Sequence, residues 1–297
     1  MEFRPRRTVL YLPAANARAI EKARTLPADT VILDLEDAVA PDAKDDARTA
    51  AVAAVAGGWD GREVAIRVNG LGTEWAAADF AAAAASSANL LVVPKVNSAA
   101  EALEAVKLAG GKPVWAMIET PRGIQQVDAI ADVPGVEALV AGFADLTKEL
   151  RAKPGPDRLP LLYAASRILN AARAAGKMAF DGVYTDIRDV AGLEREAKQA
   201  VELGYDGKTC VHPDQLEIVN RLFSPSAAEI ETALRGALRE LPAERATQRD
   251  DGVFEIASGG DIWVISPDCR SLIVVVAGRS VPNCSTPSAS DSPTPSR

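Results

Sequence analysis

Histidine is almost missing from this chain. His212 is the one histidine in 297 residues, so no cluster of imidazoles within a single chain can hold a metal. Cysteine is scarce too. Cys210, Cys269 and Cys284 show no paired spacing, which supports neither a disulfide framework nor a thiolate zinc site. Any metal here would be held by oxygen, which points to magnesium, manganese or calcium. No apolar run approaches a membrane span, and "MEFRPRRTVLYLP" carries arginines but no apolar signal core. The expectation is a soluble cytoplasmic protein with no membrane partner. Positive charge is in deficit: Lys and Arg total 33 against 41 Asp and Glu, a net charge of −8. That balance argues against a nucleic-acid partner, whose binders usually carry a basic surface. It leaves room for a local basic pocket that takes an anionic ligand.

What is present is an ordinary globular composition, 48% hydrophobic and 25% charged, ample for a large core. Eight short apolar runs alternate with longer helical patterns. The runs are "TVLYLP", "TVILDLE", "EVAIRVN", "NLLVVPKV", "PVWAMIE", "VEALVAG", "MAFDGVY" and "GKTCVHP". Most are continuous rather than alternating, as expected of parallel strands covered on both faces. Between them, segments such as "SAAEALEAVKLAG" and "DVAGLEREAKQAVELG" suit amphipathic helices, the latter with a stop at Gly204. The runs start between residues 8 and 207, so seven intervals average about 28 residues. This spacing predicts an α/β fold, a (β/α)8 TIM barrel with a C-terminal helical extension. An open doubly wound sheet is the competitor, weakened because no Gly-rich phosphate loop follows the first run. The expected boundaries are a barrel over 1–223, a helical extension over 224–255 and an atypical, partly disordered tail over 256–297.

In such a barrel the active site lies at the C-terminal ends of the strands. Those ends collect Asp34, Glu36 and Asp37; Arg67 and Asn69; Pro94 and Lys95; Glu119; Asp145; Asp181; and His212. Glu119 and Asp145 leave adjacent strands and could share one cation. Magnesium takes one or two protein carboxylates and leaves its other positions to water and substrate. Glu36 and Asp37 would then accept hydrogen bonds from the cation's waters. The bland alternative for these acids is helix capping or ion pairing. Asp34 shares a strand face with Glu36 and is as readily structural. Arg67 can grip a substrate carboxylate through its two-pronged guanidinium, or it can pair with Asp34 or Glu36 inside the barrel. Lys95 could form a Schiff base, but a lysine beside several acids keeps a high pKa and is a poor nucleophile. His212 reads more readily as packed than as a base. Arg4, Arg6, Arg7, Arg18 and Lys22 flank the first run and suit either a phosphate-bearing ligand or a solvated surface.

The blocks "LYLPAANARAIEKA", "VILDLEDAVAPDAKDDAR", "IRVNG", "VVPKV", "MIETPRG", "GFADL", "AFDGVYTDIRDVAGL" and "GYDGKTCVHPDQ" together resemble the citrate lyase β-subunit-like proteins of the HpcH/HpaI aldolase superfamily. The likeness runs over about residues 6 to 255. It implies a magnesium-dependent barrel, with manganese as a substitute, assembled as a homotrimer or a dimer of trimers. It implies a lyase that makes or breaks a carbon–carbon bond in a 3-hydroxyacyl-CoA thioester such as citryl-, malyl- or citramalyl-CoA. The products would be a 2-oxo acid (oxaloacetate, glyoxylate or pyruvate) and acetyl-CoA or a homologue. By the same resemblance Glu119 and Asp145 hold the metal and Arg67 grips the substrate. Glu36 and Asp37 support the metal's waters, the amides around Phe143, Ala144 and Asp145 meet the oxo acid, and Arg18 and Lys22 lie toward CoA. Further citrate lyase subunits are possible partners. Competing expectations are a CoA-independent 2-oxo-acid aldolase and a non-catalytic acyl-CoA-binding subunit.

The sequence departs from the family at two places. Ala144 stands where an acidic residue usually precedes the metal-binding Asp. The usual Gly–x–Met–Val/Ile–Asp–x–Pro segment has no match in "GVFEIASGGDIWVISPDCRSLIVVVAGRS". Beyond about residue 255 periodicity and likeness both lapse, as after a change of reading frame, and Asp261 is the nearby acid left to act in proton transfer.

Overall fold

The computed structural model describes residues 5–226, 228 and 229, together with strand residues 246–248, 254–258 and 261–265. Eight parallel strands close into a barrel in chain order. They are β1 (Thr8–Pro13), β2 (Thr30–Asp34), β3 (Glu63–Arg67), β4 (Leu90–Val93), β5 (Val114–Ile118), β6 (Val136–Ala141), β7 (Met178–Asp181) and β8 (Gly207–Cys210). Each falls within one of the eight runs. Outside them lie α1 (Ala17–Ala23), α2 (Lys44–Ala56), α3 (Ala76–Ala85), α4 (Ala99–Leu108), α5 (Pro121–Ala131), α6 (Phe143–Glu149), α7 (Leu162–Ala174), α8 (Val190–Leu203) and α9 (Leu216–Leu222). Among the described residues no helix is long and apolar enough to cross a membrane.

Local chemistry sets the helix ends. Ser98, Thr120 and Asp189 each accept a backbone N–H in the first turn of α4, α5 and α8, satisfying a donor that the helix itself cannot. Pro121 follows its cap at the position where a missing N–H costs nothing. The expected stop of α8 is found: Gly204 ends it with φ of 103°, a left-handed conformation natural to glycine.

Two apolar layers result. The outer one packs the helices on the barrel. The inner one fills the barrel with Val9, Ile32, Ala65, Val92, Trp115, Met117, Val140 and Phe180, alternate residues of their strands. Trp115 stacks on Phe180 with ring centroids 4.5 Å apart. At the N-terminal end of the strands Arg6 forks onto Glu63 at 2.8 and 2.7 Å and lies 5.4 Å over the Trp115 ring. Thr30 donates to the same Glu63. These groups stopper the lower end of the barrel.

A second polar cluster ties β7 and β8 to the outer layer. Lys208 is fully buried, and its Nζ lies 2.7 Å from Asp181 and 2.7 Å from Glu196. Arg158, in the loop before α7, reaches Asp181 at 2.9 Å and Glu196 at 3.3 Å. Two acids and two bases balance. Lys208→Met is expected to lower stability by about 2–3 kcal/mol. That is under the usual cost of orphaning a buried charge because Arg158 remains. Urea unfolding checks this, and an unchanged midpoint at constant slope would contradict it.

The chain divides into two compact units, 1–224 and 225–297. In the second, β9 (Ala246–Gln248), β10 (Phe254–Ser258) and β11 (Asp261–Ile265) form an antiparallel sheet in the order β11-β10-β9. Asp261 opens β11 opposite Ser258. Of the helical extension expected over 224–255, residues 230–245 lie outside the described residues. So do residues 266–297 of the expected tail.

Candidate active site

The register of the barrel builds the site. Asp34 and Arg67 are direct partners across β2 and β3, so their side chains leave the sheet on the same side. Arg67 Nε and Nη2 donate to the two Asp34 oxygens, both at 2.6 Å. Of the alternatives open for Arg67, both barrel ion pairs are formed, because Nη1 lies 3.0 Å from Glu36 as well. Asp37, with a side chain 64% exposed, is 3.7 Å from the same nitrogen. The Arg67 guanidinium also covers the Tyr11 ring at 4.8 Å. Burial acts to lower the Arg67 pKa, but Asp34 and its hydrogen bonds outweigh it and hold the group well above its ordinary value. The cations that pair with the acids of "LDLED" are thus Arg67 and Lys95.

Glu119 follows β5, and Asp145 sits in the first turn of α6 after the neighbouring β6. Lys95, just beyond β4, joins them. Its backbone N–H donates to Glu119 Oε1 at 2.8 Å. Its Nζ lies 2.9 Å from Glu36 and 3.1 Å from Asp145. Burial opposes the charge on Lys95, yet the bond to Glu36 and the surrounding acids raise its pKa above the ordinary lysine value. A lysine so protonated is a poor Schiff-base nucleophile. Glu119 is pushed up to about 7, chiefly by burial and then by Glu36, against the pull of Lys95 and Arg67. Glu36 is raised for the same first reason. Its Oε2 is buried and accepts no well-aligned hydrogen bond despite its 3.0 Å approach to Arg67.

A central cavity of about 330 Å³ opens above the inner core. Tyr11, Arg67, Glu119, Phe143, Ala144 and Asp145 line it. A side cavity of about 650 Å³ adjoins it at Asp37 and runs past Glu36, Lys95 and Trp75. The expected residues that the structure brings together are therefore Glu36, Asp37, Arg67, Phe143, Ala144, Asp145, Glu119 and Lys95. Arg18 and Lys22 are exposed on α1 and form no ion pair among the described residues. Asp181 is withdrawn into the Lys208 cluster. His212 is partly exposed and caps a short 3-10 turn through Nδ1, 3.3 Å from Asp214 N.

Three participants escaped the sequence reading. Tyr11 stands two residues after inward-facing Val9, a signal that strand alternation offers. Gly142 lies against Glu119: a Cβ there would overlap the Cβ and Oε2 of Glu119. Lys44 Nζ donates to Leu35 O, Glu36 O and Asn69 Oδ1, each at 2.7 Å, and so pins the loop that carries Glu36. No local pattern marks it.

The donor set fits a hard divalent cation. Among the described residues no three carboxylate, thiol or imidazole groups converge enough to cage a metal. Magnesium needs no such cage, since waters and substrate complete its octahedron. Glu119 is a carboxylate whose pKa is raised by burial and by Glu36, and the Lys95 ammonium already stands as a cation between Glu36 and Asp145. Glu119 and Asp145 could ligate the ion, with Glu36 beside them.

Comparison with known proteins gives the family. Residues 7–213 match the family described as HpcH/HpaI aldolase/citrate lyase. The chain belongs to that family. A relative named (3S)-malyl-CoA thioesterase from Cereibacter sphaeroides is 45% identical, covering 82% of this chain and 86% of the relative. The citrate lyase subunit beta of Escherichia coli is 34% identical, covering 78% and 81%. Among solved structures, CitE from Mycobacterium tuberculosis in complex with magnesium, acetoacetate and coenzyme A is 31% identical with a TM-score of 0.70. That match covers 85% of this chain and 93% of the other. That Mycobacterium tuberculosis protein thus binds magnesium, acetoacetate and coenzyme A.

Gly142→Ala tests the packing around Glu119. The added methyl is expected to displace that carboxylate and weaken Mn²⁺ binding by about tenfold, with an overpacking cost of about 1–3 kcal/mol. Calorimetric titration checks it, and wild-type affinity in a folded variant would contradict it.

Proposed function

We propose that this family member is a magnesium-dependent lyase acting on a 3-hydroxyacyl-CoA thioester of the citryl-, malyl- or citramalyl-CoA class. It releases a 2-oxo acid and acetyl-CoA or a homologue. The observation that carries the reading is the Lys95 ammonium set between Glu36 and Asp145, with buried Glu119 held by the backbone N–H of the same residue, beside Arg67 in the mouth of the barrel. The similarity to a magnesium-, acetoacetate- and CoA-bound relative supports it.

Glu119 and Asp145 would hold the metal, and Glu36 and Asp37 would accept from its waters. When bound, the metal supplies Lewis acidity toward developing negative charge on oxygen. Arg67 would meet the substrate carboxylate through Nη1, the nitrogen not engaged by Asp34. The amides of Phe143, Ala144 and Asp145 would orient the same acid. A carboxylate of the cluster takes the 3-hydroxyl proton as the C–C bond breaks. The bonding pair passes to the thioester α-carbon as an enolate, which a proton then quenches. Charge-stabilising donors around the cavity suit that separation of charge.

Thioester hydrolysis is the second reading, favoured by the name of the 45% identical relative. The two readings share a substrate and differ in the bond cut. Incubation with malyl-CoA and Mg²⁺ separates them. Glyoxylate and acetyl-CoA are expected for the lyase, whereas malate and free CoA thiol would transfer the assignment to hydrolysis. Turnover of free 2-oxo acids without CoA would overturn both.

A further inference from the structure

Lys95 is held in a way that neither packing nor catalysis by an amine explains. Its backbone is left-handed, with φ of 53°, a region that disfavours any residue bearing a Cβ. Neighbours enforce it. Lys95 N donates to Glu119 Oε1 at 2.8 Å, and Asn97 Nδ2 donates to Lys95 O at 2.6 Å. Asn97 is in turn bonded by Thr120, the cap of α5. The main chain is therefore fixed while the side chain is an arm. That arm is 41% exposed and lines the side cavity, but its ammonium is turned onto Glu36 and Asp145.

The other cations nearby have no such freedom. Arg67 is locked by its fork on Asp34. Lys44 is locked by three acceptors. Lys95 alone of these three contacts Asp145, a carboxylate that a metal would also claim.

Resting on the metal reading above, we propose that Lys95 is a built-in counter-cation. Its ammonium neutralises the carboxylates in the metal-free protein and competes with the incoming divalent ion. It withdraws into the 650 Å³ side cavity when that ion binds. The exchange spares the protein an uncompensated cluster of acids in either state. It also delivers a positive charge to the side cavity only when the metal is in place.

Two measurements on the full chain test this. Mn²⁺ titration of Lys95→Met, which keeps the backbone N–H to Glu119, is expected to give a Kd about tenfold tighter than wild type, the scale of two partly exposed ion pairs. Acetylation of wild-type Lys95 by an N-hydroxysuccinimide ester, read by peptide mass spectrometry, is expected to rise several-fold on Mn²⁺ addition. A Kd unchanged or weaker in a folded Lys95→Met protein overturns the proposal. Labelling that stays constant or falls with Mn²⁺ overturns it without recourse to a variant. If wild-type protein binds no Mn²⁺ at all, the metal reading fails first and this one with it.

Discussion

Glu119→Gln is expected to lose divalent-metal binding and to make the metal-free protein more stable. The two effects share a cause. Burial raises this carboxyl from an ordinary 4.5 to about 7, so the folded state prefers its protonated form. The unfolded chain ionises it from about 4.5 upward. Between those values the native state binds more protons than the unfolded state, and stability falls as pH rises. Above 7 the full penalty is present. The rise is worth about 3 kcal/mol by linkage. Gln keeps an oxygen for the Lys95 N–H but brings a buried amide, so the net gain at pH 8 should be about 1–3 kcal/mol. For a unit of this size that is roughly 3–10 °C in Tm. The gain should vanish at pH 4.5. Turnover should fall by on the order of 10²–10³-fold or more, the scale for losing charge stabilisation in a site. Melting curves at both pH values in chelator, with Mn²⁺ titration alongside, check it. A variant that binds metal like wild type would refute the assignment of Glu119.

Arg67→Lys should damage both fold and function. The position keeps its charge and loses its fork. Asp34, 1% exposed and already bonded to the Glu36 and Ala38 amides, would keep one prong of two. Glu36 would lose the approach at 3.0 Å. About 2–4 kcal/mol of stability should disappear, near the cost of breaking a buried charged pair. A similar loss is expected in kcat/KM, since Nη1 is the group offered to substrate. A double-mutant cycle with Asp34→Asn apportions the two. If Asp34 and Arg67 act as one unit, the double variant should be little worse than either single variant. An unchanged kcat/KM at lowered stability would make Arg67 a purely structural residue.

The barrel was legible because both faces of each strand are covered. "TVILD" is buried at every position, so hydrophobicity alone marked it. Glu119, Asp145 and Glu36 were legible because a carboxylate ending an apolar run is conspicuous. The pairings were not. Whether Arg67 faces a ligand or Asp34 depends on which residue of β2 lies opposite it, and strand register is a property of the closed barrel. Arg158 lies in the Pro/Gly-rich stretch "RAKPGPDRLP", and nothing local ties it to Asp181 or Lys208. Lys44 binds the carbonyls of Leu35 and Glu36, eight or nine residues earlier, through a turn that composition does not announce. The left-handed backbone of Lys95 follows from its neighbours rather than from its own preference.

The stopper of Arg6, Glu63, Thr30 and Trp115 has a kinetic consequence. A vessel closed below and open above has one door. Whatever settles beside Tyr11 and Arg67 must arrive before a larger body that spans the rim, and must leave after it. Water displaced from the depths takes the same route. Ordered entry and reverse-ordered departure are thus written into the shape. The small product should be the last to depart, and at high concentration it should compete with fresh substrate for the empty protein while leaving the rim open to the larger product.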